Sequence, residues 1–477
     1  MVKSLLIFTL LSLSIMTTSA CSILHELEDD KTTSNPCPKA SSWDHENLAY
    51  SNANEESVFH NSKANHTQEN PKKMKIVIIG SLFMGHITPT IDMTKSLISR
   101  GHEITYYAPI QSEKLLQASG AKFIPYPNLE ISRHSTVDGT KVKITQIGLQ
   151  LMHILGSFTD FIMPWFKEML DKESFDAIIF SSFTIWGNTV TNYLKKPFLC
   201  FEPSIFPAET EFRLQTHFFD DGKEEQAKFA EKLHDEYNSN GKNLVEMLSC
   251  SYAEKILMFS PQKFLEKTVS SKFPNPNKYI FLHSISSQTS KNPIPELKEN
   301  SLIYFSLGTL LNERLDIFGS IIEFFCSTKY KLIISSGGNE NLYQEITSKY
   351  HCDNIEVKLF TSQLEVLQEA AIFISHSGLN SVREAVSNTV PMITIPQGAD
   401  QFVIARSVTE LGLGVSFEDY EGSLDDKIKL AFNEIESNFT KYKENLKRVQ
   451  KTHFDGQVYE DSMLEVENYL LNITHKL

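Results

Sequence analysis

The chain has 477 residues, of which 41% are hydrophobic and 22% charged, and its formal net charge is -14. That length exceeds one ordinary hydrophobic core and predicts two domains. An acidic balance without any prominent basic run describes a soluble globular protein and argues against nucleic acid as a partner.

At the start of the chain, Lys3 precedes an apolar run from Leu5 to Met16, and Thr18-Ser19-Ala20 offers a small-residue cleavage site. Residues 1–20 therefore read as a secretory signal peptide. The run is too short for a membrane span and no later stretch is long and apolar enough, so a soluble luminal or secreted location is expected. Cys21 after Ala20 raises a lipid-anchored reading, against which Thr18 stands where such signals prefer leucine. Residues 21–73 are rich in Ser, Asn, Glu and Lys with few large apolar side chains, the composition of a disordered segment.

Met74 to Gly80 reads as a buried parallel strand, and Gly85-His86-Ile87-Thr88-Pro89 opens a helix carrying Ile91, Met93, Leu97 and Ile98. Strand, glycine loop and helix begin a doubly wound unit. Gly101-His102-Glu103 stops the helix and Ile104 to Tyr107 forms the next strand. Gly80 and Gly85 do not make the spacing G-x-G-x-x-G, so no nicotinamide or flavin cofactor is expected. Ile147 through Phe166 is an apolar helical stretch interrupted by Pro164, a pattern more often core than pocket lining. Phe175 to Phe183 is a strand that ends on Ser181-Ser182.

Six cysteines define no framework in so long a chain; Cys21 and Cys37 flank the polar tail, while Cys200 and Cys326 are expected in the core. No Cys or His spacing resembles a zinc site. Acceptor sequons stand at Asn65, Asn438 and Asn472, compatible with a glycoprotein.

Gln288 to Pro293 is a polar connector, which divides an N-terminal domain at 74–287 from a C-terminal domain at 295–450 through a linker at 288–294, with a final helix at 451–477. The second half repeats the α/β rhythm: strand Leu302 to Ser306, turn Gly308-Thr309, helix Ile317 to Phe325, strand Lys331 to Ser335, strand Ile355 to Phe360. Ala371 to Ser375 is then a short buried strand, His376 to Ser381 a small-residue turn, and Val382 onward a helix. Free N–H groups and the positive end of a helix dipole converge above Gly378, a place suited to phosphate. His376 and Asn380 alone would read as helix caps.

The stretch Phe360 to Gln401, FTSQLEVLQEAAIFISHSGLNSVREAVSNTVPMITIPQGADQ, resembles the donor-binding signature of the UDP-glycosyltransferases, the nucleotide-sugar-dependent family that includes plant secondary-product, animal glucuronosyl and bacterial macrolide enzymes. The resemblance implies that Gln363 lies beside the nucleobase, that His376, Asn380 and Ser381 contact the diphosphate, that Glu384 holds the ribose hydroxyls, and that Asp400 and Gln401 grip the sugar. Ser306 and Gly308-Thr309 match a family turn that approaches the diphosphate. Phe360 occupies the place of a tryptophan that stacks on uracil in plant members, Ser362 that of a common proline, and Thr389 that of a common glycine.

Gly85-His86 followed by Pro89 is similar to the same family, whose histidine there takes the proton from the acceptor hydroxyl; an imidazole with an ordinary pKa of about 6.5 suits that task. Members orient this ring with an aspartate at the end of a later strand, and Ser181 stands in its place. A serine can orient a ring but cannot balance its charge.

Over residues 74 to 470 the resemblance implies a GT-B fold: two Rossmann-like doubly wound α/β domains facing each other, with the C-terminal helix crossing back to the first. The implied activity is inverting transfer of a hexose, glucose from UDP-glucose, to a hydroxyl of a small lipophilic acceptor. The UDP-sugar is a co-substrate, and no metal or other cofactor is implied. Unlike animal glucuronosyl members, the chain has no membrane helix near residue 477. Two other readings stay open: a secreted nucleotide-sugar-binding protein that lost turnover with the aspartate, and an epimerase or hydrolase on the same donor.

Overall fold

The computed structural model describes residues 73–127, 144–203, 223–241, 244–250, 252–260, 276–282, 296–309, 312, 314–398, 400–453 and 456–475. The leader expected at 1–20, the polar segment with Cys21, Cys37 and Asn65, the connector expected at 288–294 and the side chains of Ile147, Leu151 and Ile154 lie outside them.

Seven strands form the first sheet: β1 Lys75–Ile79, β2 Glu103–Ala108, β3 Lys122–Pro125, β4 Ala177–Ser181, β5 Phe198–Glu202, β6 Ile256–Met258 and β7 Tyr279–Phe281. Six form the second: β8 Leu302–Ser306, β9 Lys331–Ser335, β10 Ile355–Lys358, β11 Ala370–Ser375, β12 Met392–Thr394 and β13 Gly414–Ser416. The orders are β3-β2-β1-β4-β5-β6-β7 and β10-β9-β8-β11-β12-β13. Each sheet is parallel throughout, so helices cover both faces and the central strands bury both sets of side chains. Ile76 to Ile79 are at most 1% exposed, and all of β4 is buried. Strand order reverses between β1 and β4 and again between β8 and β11, the two crevices where doubly wound sheets bind ligands. Ile79 is in register with Phe180, which sets the turn after β1 over the end of β4; Ser306 is in register with Ser375.

Some boundaries differ from the sequence reading. The helix after Gly85 divides into Met84–Ile87 and Thr90–Ser99, because Pro89 lacks an N–H and starts a helix well but does not continue one. The strand expected at 355–360 ends at Lys358, and Phe360 turns outward with 68% exposure. The final helix expected at 451–477 starts later, at Gly456–His475, and residues 451–453 belong to the preceding helix Phe439–His453.

The last of these helices lies on the first sheet's side of the molecule: Met463, Val466 and Leu470 share one buried cluster with Ile76, Ile78, Leu97 and Leu199. Glu467 accepts from Arg100 Nη1 and His102 Nε2, each at 3.0 Å. One cysteine assignment changes. Cys200 is buried in the core as expected and is bonded to Cys250 (Cα–Cα 6.3 Å), whereas Cys326 is exposed at a helix end and bonded to Cys352 (Cα–Cα 5.5 Å) rather than lying in the core.

Candidate active site

The C-terminal ends of β1 and β4 carry the first part of the site. Ser81 Oγ accepts from Phe83 N at 3.3 Å, Tyr126 Oη donates to Gly80 O at 2.5 Å, and the short helix Met84–Ile87 then presents His86. His86 Nδ1 lies 3.3 Å from Ser181 Oγ, and Ser181 is fully buried. Phe183 meets the imidazole edge-on at 4.8 Å and Phe83 tilts against it at 5.8 Å. Desolvation in this packing lowers the His86 pKa to about 3, so the ring is neutral through the physiological range and has a lone pair to offer. No described carboxylate opposes that shift.

The ends of β8, β9 and β11 build the second part by one repeated device. Each ends on a serine, and Ser306, Ser335 and Ser375 accept through Oγ from the N–H two residues on, at Gly308 (3.2 Å), Gly337 (3.3 Å) and Ser377 (3.1 Å). Short hydroxyl side chains compete with the strand ladder for backbone donors and so turn the chain sharply. His376 lies between two glycines: a Cβ would fall 2.7 Å from its ring at Gly308 and 2.5 Å at Gly378. Burial lowers the His376 pKa to about 4, and its buried Nδ1 has no partner among the described residues. With its single proton on Nδ1, the neutral ring would donate to an anion's oxygen beside the start of the helix Leu379–Ser387.

Along that helix several of the other residues expected to bind the donor meet. Gln363 Nε2 donates to Glu384 Oε2 at 2.7 Å and to Ser381 Oγ at 3.1 Å, so three residues assigned to nucleobase, diphosphate and ribose form one hydrogen-bonded row. Burial raises the Glu384 pKa, with Gln363 and Arg383 acting against it. Phe360, three residues before Gln363, is exposed. Thr309 is exposed next to Gly308. Asp400 starts the helix Gln401–Glu410, and Gln401 Oε1 is taken up by Gln397 N (2.7 Å) and Gly398 N (3.3 Å).

Two features were not read from the sequence. Asn312, 1% exposed, donates to Gly308 O and Ser336 O, both at 2.9 Å, and ties the β8 turn to the β9 turn. An Asn four residues after a turn glycine was the available signal. Asn380 Nδ2 reaches Gly85 O at 2.8 Å and joins the helix Leu379–Ser387 to the short helix of His86, a pairing 295 residues apart for which the sequence holds no signal.

The family model of the glycosyltransferase family 28 C-terminal domain matches residues 309–456, which include β11 and the turn and helix that follow it. An uncharacterised UDP-glucosyltransferase YdhE of Bacillus subtilis is 24% identical over 83% of this chain and 98% of its own. The NDP-glycosyltransferase YjiC of the same organism is 28% identical, covering 72% of this chain and 84% of its own. The family-model match and these relatives support the UDP-glycosyltransferase family for this chain. Its activity is glycosyl transfer from a nucleotide sugar. Solved structures agree on the GT-B fold: the glycosyltransferase of kitacinnamycin superposes with a TM-score of 0.65 at 17% identity, covering 84% of this transferase and all of that chain. The calicheamicin glycosyltransferase CalG4 gives 0.62 at 18% identity over 84% of this chain and 99% of its own. Among the described residues of this glycosyltransferase no group of three or more His, Cys, Asp or Glu is placed to hold a metal, and no helix is long and apolar enough to cross a membrane.

Proposed function

We propose that this glycosyltransferase moves glucose from UDP-glucose to a hydroxyl of a small lipophilic acceptor and inverts the anomeric carbon. The observation that carries the reading is the 2.8 Å hydrogen bond from Asn380 to Gly85 O, which brings the short helix of His86 up to the helix Leu379–Ser387. In this reading Phe360 and Gln363 take the nucleobase, Glu384 the ribose, and the His376 to Ser381 turn with Ser306, Gly308 and Thr309 the diphosphate. Asp400 and Gln401 hold the sugar. His86 removes the acceptor proton while the oxygen attacks C1, and the nucleoside diphosphate leaves from the opposite face with the bonding electrons. Helix dipole and neutral donors stabilise the departing charge, so the reading needs no metal or cofactor. Glucose and a lipophilic acceptor are supported by relatives such as the zeaxanthin glucosyltransferase of Pantoea ananas, 20% identical over 70% of this chain and 82% of its own.

UDP release from UDP-glucose, with and without lipophilic hydroxyl acceptors, tests the reading. Acceptor-dependent release that His86→Ala abolishes, with calorimetric UDP binding nearly intact, is the expected result. Release without acceptor would make the protein a hydrolase, and UDP binding without release would make it a binding protein that has lost turnover.

Entry into the secretory pathway is part of the same proposal. Its supports are the leader-like residues 1–20 and the bridges Cys200–Cys250 and Cys326–Cys352, since disulfides persist in oxidising compartments. Mass analysis of alkylated native protein is expected to find these four sulfurs blocked from labelling until reduced. Free thiols at all four would remove the support.

A further inference from the structure

The ring of His86 has a single polar side-chain partner among the described residues, and it is a hydroxyl. A carboxylate in that position only accepts, so it would hold the proton on Nδ1, leave Nε2 free as base, and stabilise the imidazolium as it forms. Ser181 Oγ both donates and accepts, and it brings no charge. The aromatic rings packed against it, Phe83 and Phe183, are apolar, and Ser181 itself is buried at the end of β4. None of these three contacts brings a negative charge to balance an imidazolium. Proton transfer to such a base becomes favourable only when the proton donor is itself acidic.

We propose that the hydroxyl partner of His86 makes acceptor acidity the specificity filter of this enzyme, so that readily ionised hydroxyls, phenolic or enolic, are glycosylated and aliphatic alcohols are poor substrates. This rests on His86 being the base of the proposed transfer. In the step itself the acceptor O–H proton passes to Nε2 as the oxygen–C1 bond forms and the C1–phosphate oxygen bond breaks. The diphosphate carries off the electron pair, and the imidazolium returns its proton to solvent. An acceptor that is already partly ionised places little positive charge on the ring at the transition state. An aliphatic alcohol demands a nearly complete imidazolium, which Ser181 cannot balance. The burial that holds the ring's pKa down acts in the same direction. Ser181 is thus a positioning residue whose chemistry sets the range of acceptors.

The test is the dependence of kcat/KM on acceptor pKa, measured on the full-length chain with UDP-glucose and a series from 4-nitrophenol through phenol to 4-methoxyphenol, with benzyl alcohol and cyclohexanol beyond it. For the unaltered protein kcat/KM is expected to fall at least about tenfold along the phenols and to become undetectable with the alcohols. Ser181→Asp should flatten the phenol series to within about threefold and bring the alcohols into range. Ser181→Asn, an acceptor without charge, should keep the steep slope. UDP calorimetry on each variant confirms an intact donor site. A flat series for the unaltered protein, or parallel slopes for it and Ser181→Asp, overturns the inference while leaving the transferase reading in place. UDP binding without turnover of any acceptor sinks both. Should Ser181→Asp fail to fold, the slope of the unaltered protein decides alone.

Discussion

Thr389 shows how much a single residue carries after the donor helix. It has φ +51°, in the left-handed region that β-branched side chains avoid, and it is buried with its hydroxyl unpartnered among the described residues. Its N–H bonds Val386 O and that of Val390 bonds Ala385 O, the double closure that commonly ends a helix on glycine. Replacement by glycine removes the strain and the orphan hydroxyl at the cost of a little buried methyl area. Thr389→Gly is expected to stabilise the fold by about 0.5–1 kcal/mol, read as a higher denaturant midpoint at unchanged slope. An unchanged or lower midpoint would show that the threonine is well accommodated. Ser181 is the opposite case: a residue in a regular strand whose identity, in the proposal above, sets the chemistry of its neighbour.

At the scale of elements, the serine-ended strands β8, β9 and β11 and the glycines facing His376 make one cradle, whereas the helix Phe439–His453 carries a cost. Lys443 on that helix is 6% exposed, its Nζ has no hydrogen-bond partner among the described residues, and it lies 5.8 Å from the Phe439 ring. Burial first, and Lys447 second, lower its pKa from 10.5 to about 8. Below about pH 8 the amine is charged in both states and the folded protein bears the whole desolvation cost. As pH rises from about 8 to 10.5 the unfolded chain holds more protons than the fold, and stability increases. Lys443→Met is therefore expected to raise stability at pH 7 by about 1–2 kcal/mol, allowing for solvent screening, with the gain fading toward pH 10.5. Thermal melts at pH 7 and pH 10 decide it; an equal gain at both values would trace the effect to packing rather than charge.

For the whole molecule, the terminal helix Gly456–His475 is a structural tie. Met74 N donates to His102 Nδ1 at 3.2 Å, which leaves the proton on Nε2 to bond Glu467, and Arg100 bonds both Glu467 and Glu460. Glu467 is 5% exposed, so its removal strands the buried His102 and the partly buried Arg100. Glu467→Ala is expected to cost about 2–4 kcal/mol. Chemical denaturation measures the loss, and a change below about 0.5 kcal/mol would mean that apolar packing of Met463, Val466 and Leu470 holds the helix unaided.

Most of the donor half was legible because its residues are close in sequence. A strand, a small-residue turn and a helix occur in one run from Ala370 to Ser387, and periodicity with turn chemistry locates each of them. The parallel sheets were legible too, since strands buried on both faces read as unbroken apolar runs. Helix breaks were less so: Pro89 and the split terminal pattern depend on backbone details that apolar spacing does not encode. What the sequence by itself determined was the local material of the site, the order of its segments and the serine where an aspartate was expected. Only the tertiary structure decided that Ser181 Oγ sits 3.3 Å from His86, that Asn380 crosses to Gly85, and that Cys326 pairs with Cys352. These contacts join residues 26 to 295 positions apart, and such distances are set by how sheets and helices pack rather than by any local preference of the chain.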